Sequence, residues 1–103
     1  MQTAPFISVV IPSYNSQKTI GPLVASIVND VAFTVDDELI VVDDCSIDDS
    51  AALAAGHGAS VLYLEKNGGP SVARNKGVAA ARNDIIVFFD SDTLLEKNTL
   101  SAI

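Results

Sequence analysis

Hydrophobic residues along this chain come in short β-branched runs, separated by stretches whose apolar positions recur every three or four residues. "FISVVIP" (6–12) is such a run, stopped by Pro12, and it predicts a first strand. "SYNSQKTIGPLVASIVNDV" then changes period. Ile20, Leu23, Val24, Ile27, Val28 and Val31 fall at helical spacings, with Ser16 as the expected N-cap and Gly21-Pro22 pushing the expected start later. "DDELIVVDD" (36–44) predicts a second strand that ends in acids. "SIDDSAALAAGHG" (46–58) predicts a short helix, capped by Ser46 or Asp48 and stopped at Gly56 or Gly58. "ASVLYLE" (59–65) is a third strand, and "NGGPSVARNKGVAAARN" (67–83) is a glycine turn that runs into a helix despite Gly77. "DIIVFF" (84–89) is a fourth strand whose unbroken apolar run reads as buried on both faces. "LLEKNTLSAI" (94–103) looks like the opening of a further helix.

The resulting order, β-α-β-α-β-α-β with helix-length connections, implies a parallel sheet with right-handed crossovers and helices on both faces. The fold class is therefore α/β, a three-layer α/β/α arrangement. In such sheets ligands bind outside the carboxyl ends of the strands, near a topological switch point. Three unusual clusters fall at those ends: "PSYN" (Pro12 to Asn15), "DDCS" (Asp43 to Ser46) and "DSDT" (Asp90 to Thr93).

Composition narrows the picture. A chain of 103 residues is one domain at most, and 49% hydrophobic content with a mean hydropathy of +0.35 suits a covered sheet. No apolar run approaches the roughly 20 residues of a membrane span. "MQTAPFISVV" lacks the basic start and long apolar core of a signal peptide. The single Cys45 rules out an intramolecular disulfide and fits a reducing setting. The expected location is cytoplasmic, including the cytoplasmic face of the membrane for a longer parent.

A net charge of -7 argues against binding nucleic acid or anionic membranes through bulk electrostatics. Asp30, Asp36, Asp37, Glu38, Asp43, Asp44, Asp48 and Asp49 crowd one region, whereas Lys66, Arg74, Lys76 and Arg82 occupy a stretch without acids. That basic stretch reads either as a solvated helix face or as a cationic lip near an anionic ligand.

Asp90 and Asp92 are hard oxygen donors separated by Ser91. At a strand end both can turn toward one divalent ion and leave positions for water and a diphosphate. Such pairs also cap helices and make turns; their place after a buried strand favours the metal. Asp43 and Asp44 have a similar choice between capping the next helix and accepting from a uracil imide or ribose hydroxyls. Tyr14 offers a face for stacking a base or for packing. Gly68-Gly69-Pro70 either lets backbone approach a ligand or simply turns the chain. Arg74 could contact base or phosphate through its planar fork, or remain a surface residue. Cys45 and His57 have no second soft ligand at zinc-like spacing and read as loop residues.

Four stretches, "ISVVIPSYNSQKTI", "ELIVVDDCSIDDS", "NGGPSVARNKGVAAA" and "DIIVFFDSDT", stand in the order in which this chain resembles the N-terminal part of a family 2 glycosyltransferase with the GT-A fold. The resemblance covers most of the chain, and the ordered set is far more specific than any one stretch. It implies a Rossmann-like nucleotide-binding half whose donor is a nucleotide-diphosphate sugar, with a lean to UDP. By carry-over Tyr14 lies beside the base, Asp44 contacts it, and Asp90 approaches the ribose or metal. Asp92 would ligate Mg²⁺ or Mn²⁺ bridging the diphosphate. Pro12, Asn15, Asp43, Gly69 and Ser91 belong to the same motifs. Cys45 departs from the family, which usually has a small residue there, often glycine.

The resemblance also implies that residues 1–103 are the donor half only, ending after the fourth strand. The acceptor wall and, in inverting enzymes, a general-base carboxylate are expected beyond Ile103. Such a fragment is expected to transfer no sugar alone. It is also expected to self-associate through the C-terminal stretch (Leu94, Leu95, Leu100, Ile103) or the adjacent strand edge. The acceptor could be a sugar, a lipid or a protein. Two other classes compete. A receiver-type signalling domain would use "ELIVVDD" as its acidic first strand and Asp90 as the phospho-acceptor. A nucleotidyltransferase would share the nucleotide-binding half, but "IPSYNSQKTI" is not glycine-rich.

Overall fold

The structure, a computed structural model, describes residues 6–93. The expected helix at 94–103, and with it the proposed C-terminal contact, lies outside the described residues. Among the described residues four strands and three helices alternate: β1 (Ile7–Ser13), α1 (Ile20–Val28), β2 (Glu38–Asp43), α2 (Ser50–Gly56), β3 (Ser60–Tyr63), α3 (Gly69–Ala80) and β4 (Ile85–Phe88). All pairings are parallel, in the order β3-β2-β1-β4. The chain thus builds outward from β1 through β2 to β3, then returns to lay β4 on the other side of β1. That reversal places the switch point between β1 and β4. It also removes the receiver alternative. In that order "ELIVVDD" would need "DIIVFF" as a direct neighbour, and here β1 stands between them.

Side chains alternate between two cores, as the pleat requires. Val9, Ile11, Leu39 and Val41 face α1 and α2, where Ile20, Leu23, Val24, Ile27 and Ala54 cover them. Val10, Ile40 and Val42 face α3, where Ala73 closes the layer. Three layers result, as expected. Gly77, an awkward residue for a helix by propensity, is explained by this second interface. A Cβ there would stand 2.3 Å from Val10 Cγ1, so glycine lets α3 lie close on β1.

The structure corrects several sequence expectations. Pro12 does not end β1; it pairs in register with Val42. Its missing N–H lies on the side from which the Val10 carbonyl meets Phe89, and pairing with β4 has ended at Val10 and Phe88, so no ladder bond is lost. Ser16 does not cap α1. Thr19 occupies the cap position, and the Ser16 carbonyl closes the preceding turn by accepting from the N–H groups of Thr19 and Ile20. Pro22 sits in the first turn, where its absent N–H would have been unpaired anyway. Asp49, not Ser46 or Asp48, precedes α2. The β4 strand is not buried on both faces. It is an edge among the described residues, with Ile85 42% and Phe88 45% exposed. No described helix is long and apolar enough to cross a membrane.

Candidate functional site

The parallel sheet brings the carboxyl ends of β1, β2 and β4 to one end of the molecule. A cavity of about 180 Å³ opens there, lined by Pro12, Ser13, Tyr14, Asp44, Pro70, Ala73, Arg74, Asp90 and Ser91. It sits over the switch point, and each cluster found in the sequence contributes to it.

Tyr14 leaves β1 with its ring half in solvent, at 53% exposure, which suits a platform for a flat ligand. The next residue, Asn15, has φ 49°, the left-handed region that asparagine tolerates better than most residues. Its side chain points away from the cavity: Asn15 Oδ1 accepts from the Ile47 N–H at 2.9 Å, and its own N–H donates to Ser46 Oγ at 2.9 Å. Gln17 repeats the pattern, donating its N–H to Asp48 Oδ2 and accepting from the Asp49 N–H, both at 3.2 Å. Four bonds therefore stitch the β1–α1 loop to the β2–α2 loop. Within this seam Asp48 also accepts from the Ser50 hydroxyl and from the Ser50 N–H. The Ser50 hydroxyl first, then the backbone N–H groups of Ser50 and Gln17, hold its carboxyl below the usual value.

Asp43 and Asp44 part company at the end of β2, because adjacent strand residues face opposite sides. Asp43 turns inward and is buried. Its Oδ2 accepts from the Ser46 N–H at 3.0 Å, and it does not line the cavity. Asp44 lines it. Its two oxygens accept from the N–H groups of Gly68 and Gly69 at 2.8 and 2.9 Å, so the carboxylate fastens β2 to the start of α3, where unpaired N–H groups favour an anion. Gly69 serves through its backbone, at φ 85°, a conformation few other residues take without strain. Cys45 also has a positive φ, 60°, which gives a physical reason for glycine at that position in the family the sequence resembles.

Across the cavity Arg74 on α3 reaches Asp90 after β4, 3.7 Å between charged atoms. Asp90 is exposed and Arg74 partly so, and the pair therefore contributes little to stability and can exchange partners. Thr93 N–H closes a turn onto the Asp90 carbonyl at 3.0 Å. Within this turn Asp92 faces a second, more open hollow of about 600 Å³ that shares Tyr14 and Ser91 with the first. Among the described residues no group of three or more His, Cys, Asp or Glu side chains could hold a metal ion. Asp90 lines the first cavity and Asp92 the second.

The sequence expectations thus divide. Pro12, Tyr14, Asp44, Arg74, Asp90 and Ser91 meet at one cavity, Asp92 adjoins it, and Asn15, Asp43 and Gly69 serve the loops around it. Ser13 and Pro70 line the cavity as members of clusters named from the sequence, Ala73 lines it without having been singled out, and Ser16, Gln17, Thr19 and Asp48 line the adjoining hollow. In the sequence Ser16 and Asp48 read as helix caps, and nothing there singles out Gln17 or Thr19.

Comparison with known proteins gives the family of the chain. The model of the family described as Glycosyl transferase family 2 matches residues 8–103. Poly(ribitol-phosphate) beta-N-acetylglucosaminyltransferase TarS of Staphylococcus aureus is 36% identical over 98 residues, covering 90% of this chain and 17% of that protein. The putative teichuronic acid biosynthesis glycosyltransferase TuaG of Bacillus subtilis is 36% identical over 101 residues, covering 93% of this chain and 39% of its own length. The chain therefore spans well under half of these relatives. The crystal structure of S. aureus TarS 1-349 in complex with UDP-GlcNAc superposes with a TM-score of 0.85 at 34% identity, covering 94% of this chain and 29% of that one. Glucosyl-3-phosphoglycerate synthase from Mycobacterium tuberculosis, solved in complex with Mn²⁺, UDP and phosphoglyceric acid, superposes with a TM-score of 0.80 at 34% identity. It covers 95% of this chain and 37% of its own.

Proposed function

Because this chain belongs to glycosyl transferase family 2 and has the α/β fold of GT-A enzymes, we propose that it binds a UDP-linked sugar in the cavity over the switch point. The sugar would pass to an acceptor hydroxyl in a protein that also carries the acceptor site. The observation that carries this reading is the convergence of Tyr14, Asp44, Arg74 and Asp90, from four separate segments, on one cavity. Two solved relatives hold UDP or UDP-GlcNAc in the same fold, which supports uridine as the base.

In this reading Tyr14 stacks on the uracil ring. Asp44 keeps its bonds to Gly68 and Gly69 and offers the remaining lone pairs of its carboxylate to the imide N–H, since each oxygen can accept twice. Arg74 exchanges Asp90 for the diphosphate, whose charge and planar oxygen pairs suit a guanidinium better than one exposed carboxylate. Asp90 is thereby released toward the ribose or a cation beside Asp92. A Mg²⁺ or Mn²⁺ ion held by Asp92 and Asp90 would stabilise negative charge developing on the leaving diphosphate.

Calorimetry of the 103-residue chain with UDP, with and without Mn²⁺, tests the reading. UDP is expected to bind weakly alone and more tightly with Mn²⁺, and Tyr14→Ala is expected to weaken both. Equal affinity for UDP, ADP and GDP, unaffected by Tyr14→Ala, would refute the base assignment.

A further inference from the structure

We propose that Ser16 and Thr19 are positioning residues: two hydroxyls at the entry of α1 that hold the Asp90–Asp92 turn in place. The inference rests on the reading that this turn faces the diphosphate and its cation. It is carried by contacts that helix capping does not require. Ser16 is not the helix cap, and Thr19, at the cap position, makes no side-chain capping bond. Both side chains instead reach across 72 or more residues of sequence to Ser91. Thr19 Oγ1 donates to the Ser91 carbonyl at 2.8 Å, and Ser16 Oγ stands 2.8 Å from Ser91 Oγ.

The Ser16 hydroxyl is also 3.2 Å from the Tyr14 carbonyl oxygen. One arrangement uses every hydroxyl proton: Ser91 donates to Ser16, Ser16 donates to the Tyr14 carbonyl, and Thr19 donates to the Ser91 carbonyl. The base platform and the acidic turn are then parts of one short hydrogen-bonded chain.

The turn needs such a hold. The last register pair between β1 and β4 is Val10 with Phe88, and the Phe89 N–H reaches the Val10 carbonyl only at 3.4 Å. Beyond it, the backbone bond from Thr93 to Asp90 is internal to the turn and does not fix it to the sheet. Two carboxylates one residue apart repel until a cation joins them. Fastening Ser91 by both its side chain and its carbonyl fixes the residue between them, so that Asp90 and Asp92 keep their places on either side.

The test combines Ser16→Ala with Thr19→Val, each close in shape to the original, and includes Thr19→Ser as the variant that keeps the donor. Two quantities are read. In the absence of ligand, amide exchange at Thr93 is expected to quicken in the double variant and to stay near wild type in Thr19→Ser. With UDP, the factor by which Mn²⁺ strengthens binding is expected to fall about three- to tenfold in the double variant, the size of one or two lost hydrogen bonds, while affinity without metal changes less. Unchanged Thr93 exchange in a folded double variant would overturn the inference whatever the nucleotide data show. Normal Mn²⁺ enhancement in the double variant would overturn it as well. A wild-type chain without Mn²⁺ enhancement would instead refute the metal reading, and the clamp would then be decided by Thr93 exchange alone.

Discussion

Replacing Gly77 with alanine tests whether the close approach of α3 to β1 sets the shape of the cavity. An ideal Cβ at residue 77 would stand 2.3 Å from Val10 Cγ1, 3.2 Å from Val10 Cγ2 and 3.3 Å from Val10 Cβ. Val10 is fully buried and β-branched, so it has few other rotamers and no path to solvent. Two effects oppose each other. Alanine favours a helix over glycine by about 1 kcal/mol. Overpacking a filled core costs about 1–3 kcal/mol, and a contact this far inside van der Waals distance takes the upper part of that range. Overpacking should win, with a net loss of about 1–2 kcal/mol. For a domain of this size that lowers Tm by roughly 4–16 °C. Circular dichroism melts and urea titrations would measure it. Combining Gly77→Ala with Val10→Ala should recover stability beyond additivity, because the shortened Val10 vacates the space the new methyl enters. Arg74 lies on the same helix, so the displaced α3 should also weaken UDP binding. A Gly77→Ala chain as stable as wild type, or strictly additive with Val10→Ala, would refute the packing argument.

Asp44→Ala should weaken UDP even without metal and also destabilise the fold by about 1–3 kcal/mol in all, the net worth of two hydrogen bonds whose N–H groups water can reach; a melt matched to wild type would contradict the bonds to Gly68 and Gly69. Asp92→Asn should abolish the Mn²⁺ dependence of UDP binding and leave stability nearly unchanged, which calorimetry and a melt check together. Asp48 has a folded-state value below the ordinary 3.8, so its contribution is present above 3.8 and is lost as pH falls through the lower folded value. The stability gap between wild type and Asp48→Asn should therefore be constant at neutral pH and close only in strong acid; a gap that closes above pH 5 would refute the assignment. With Ile85 and Phe88 nearly half exposed on an edge strand among the described residues, the chain should self-associate at micromolar concentration. A clean monomer in equilibrium sedimentation would rule that out.

Much of this molecule could be read from its residues in order. The change of apolar period from two to nearly four separates strands from helices, and helix-length connections force neighbouring strands to run parallel. Parallel strands all end on one side, so "PSYN", "DDCS" and "DSDT" had to meet there. Contacts across the sheet could not be read, because they depend on which strands become neighbours. The order β3-β2-β1-β4, the switch point and, among the described residues, the edge position of β4 are choices among pairings that the same apolar runs permit. That Asp44 and not Asp43 lines the cavity depends on which face of β2 receives α3. Gly77 is a poor helix residue until Val10 is seen beneath it. Ser16 has the residue type of a cap, but a hydroxyl takes the partner that folding places within reach. For Ser16 that partner is Ser91, 75 residues away along the chain and 2.8 Å away in the fold.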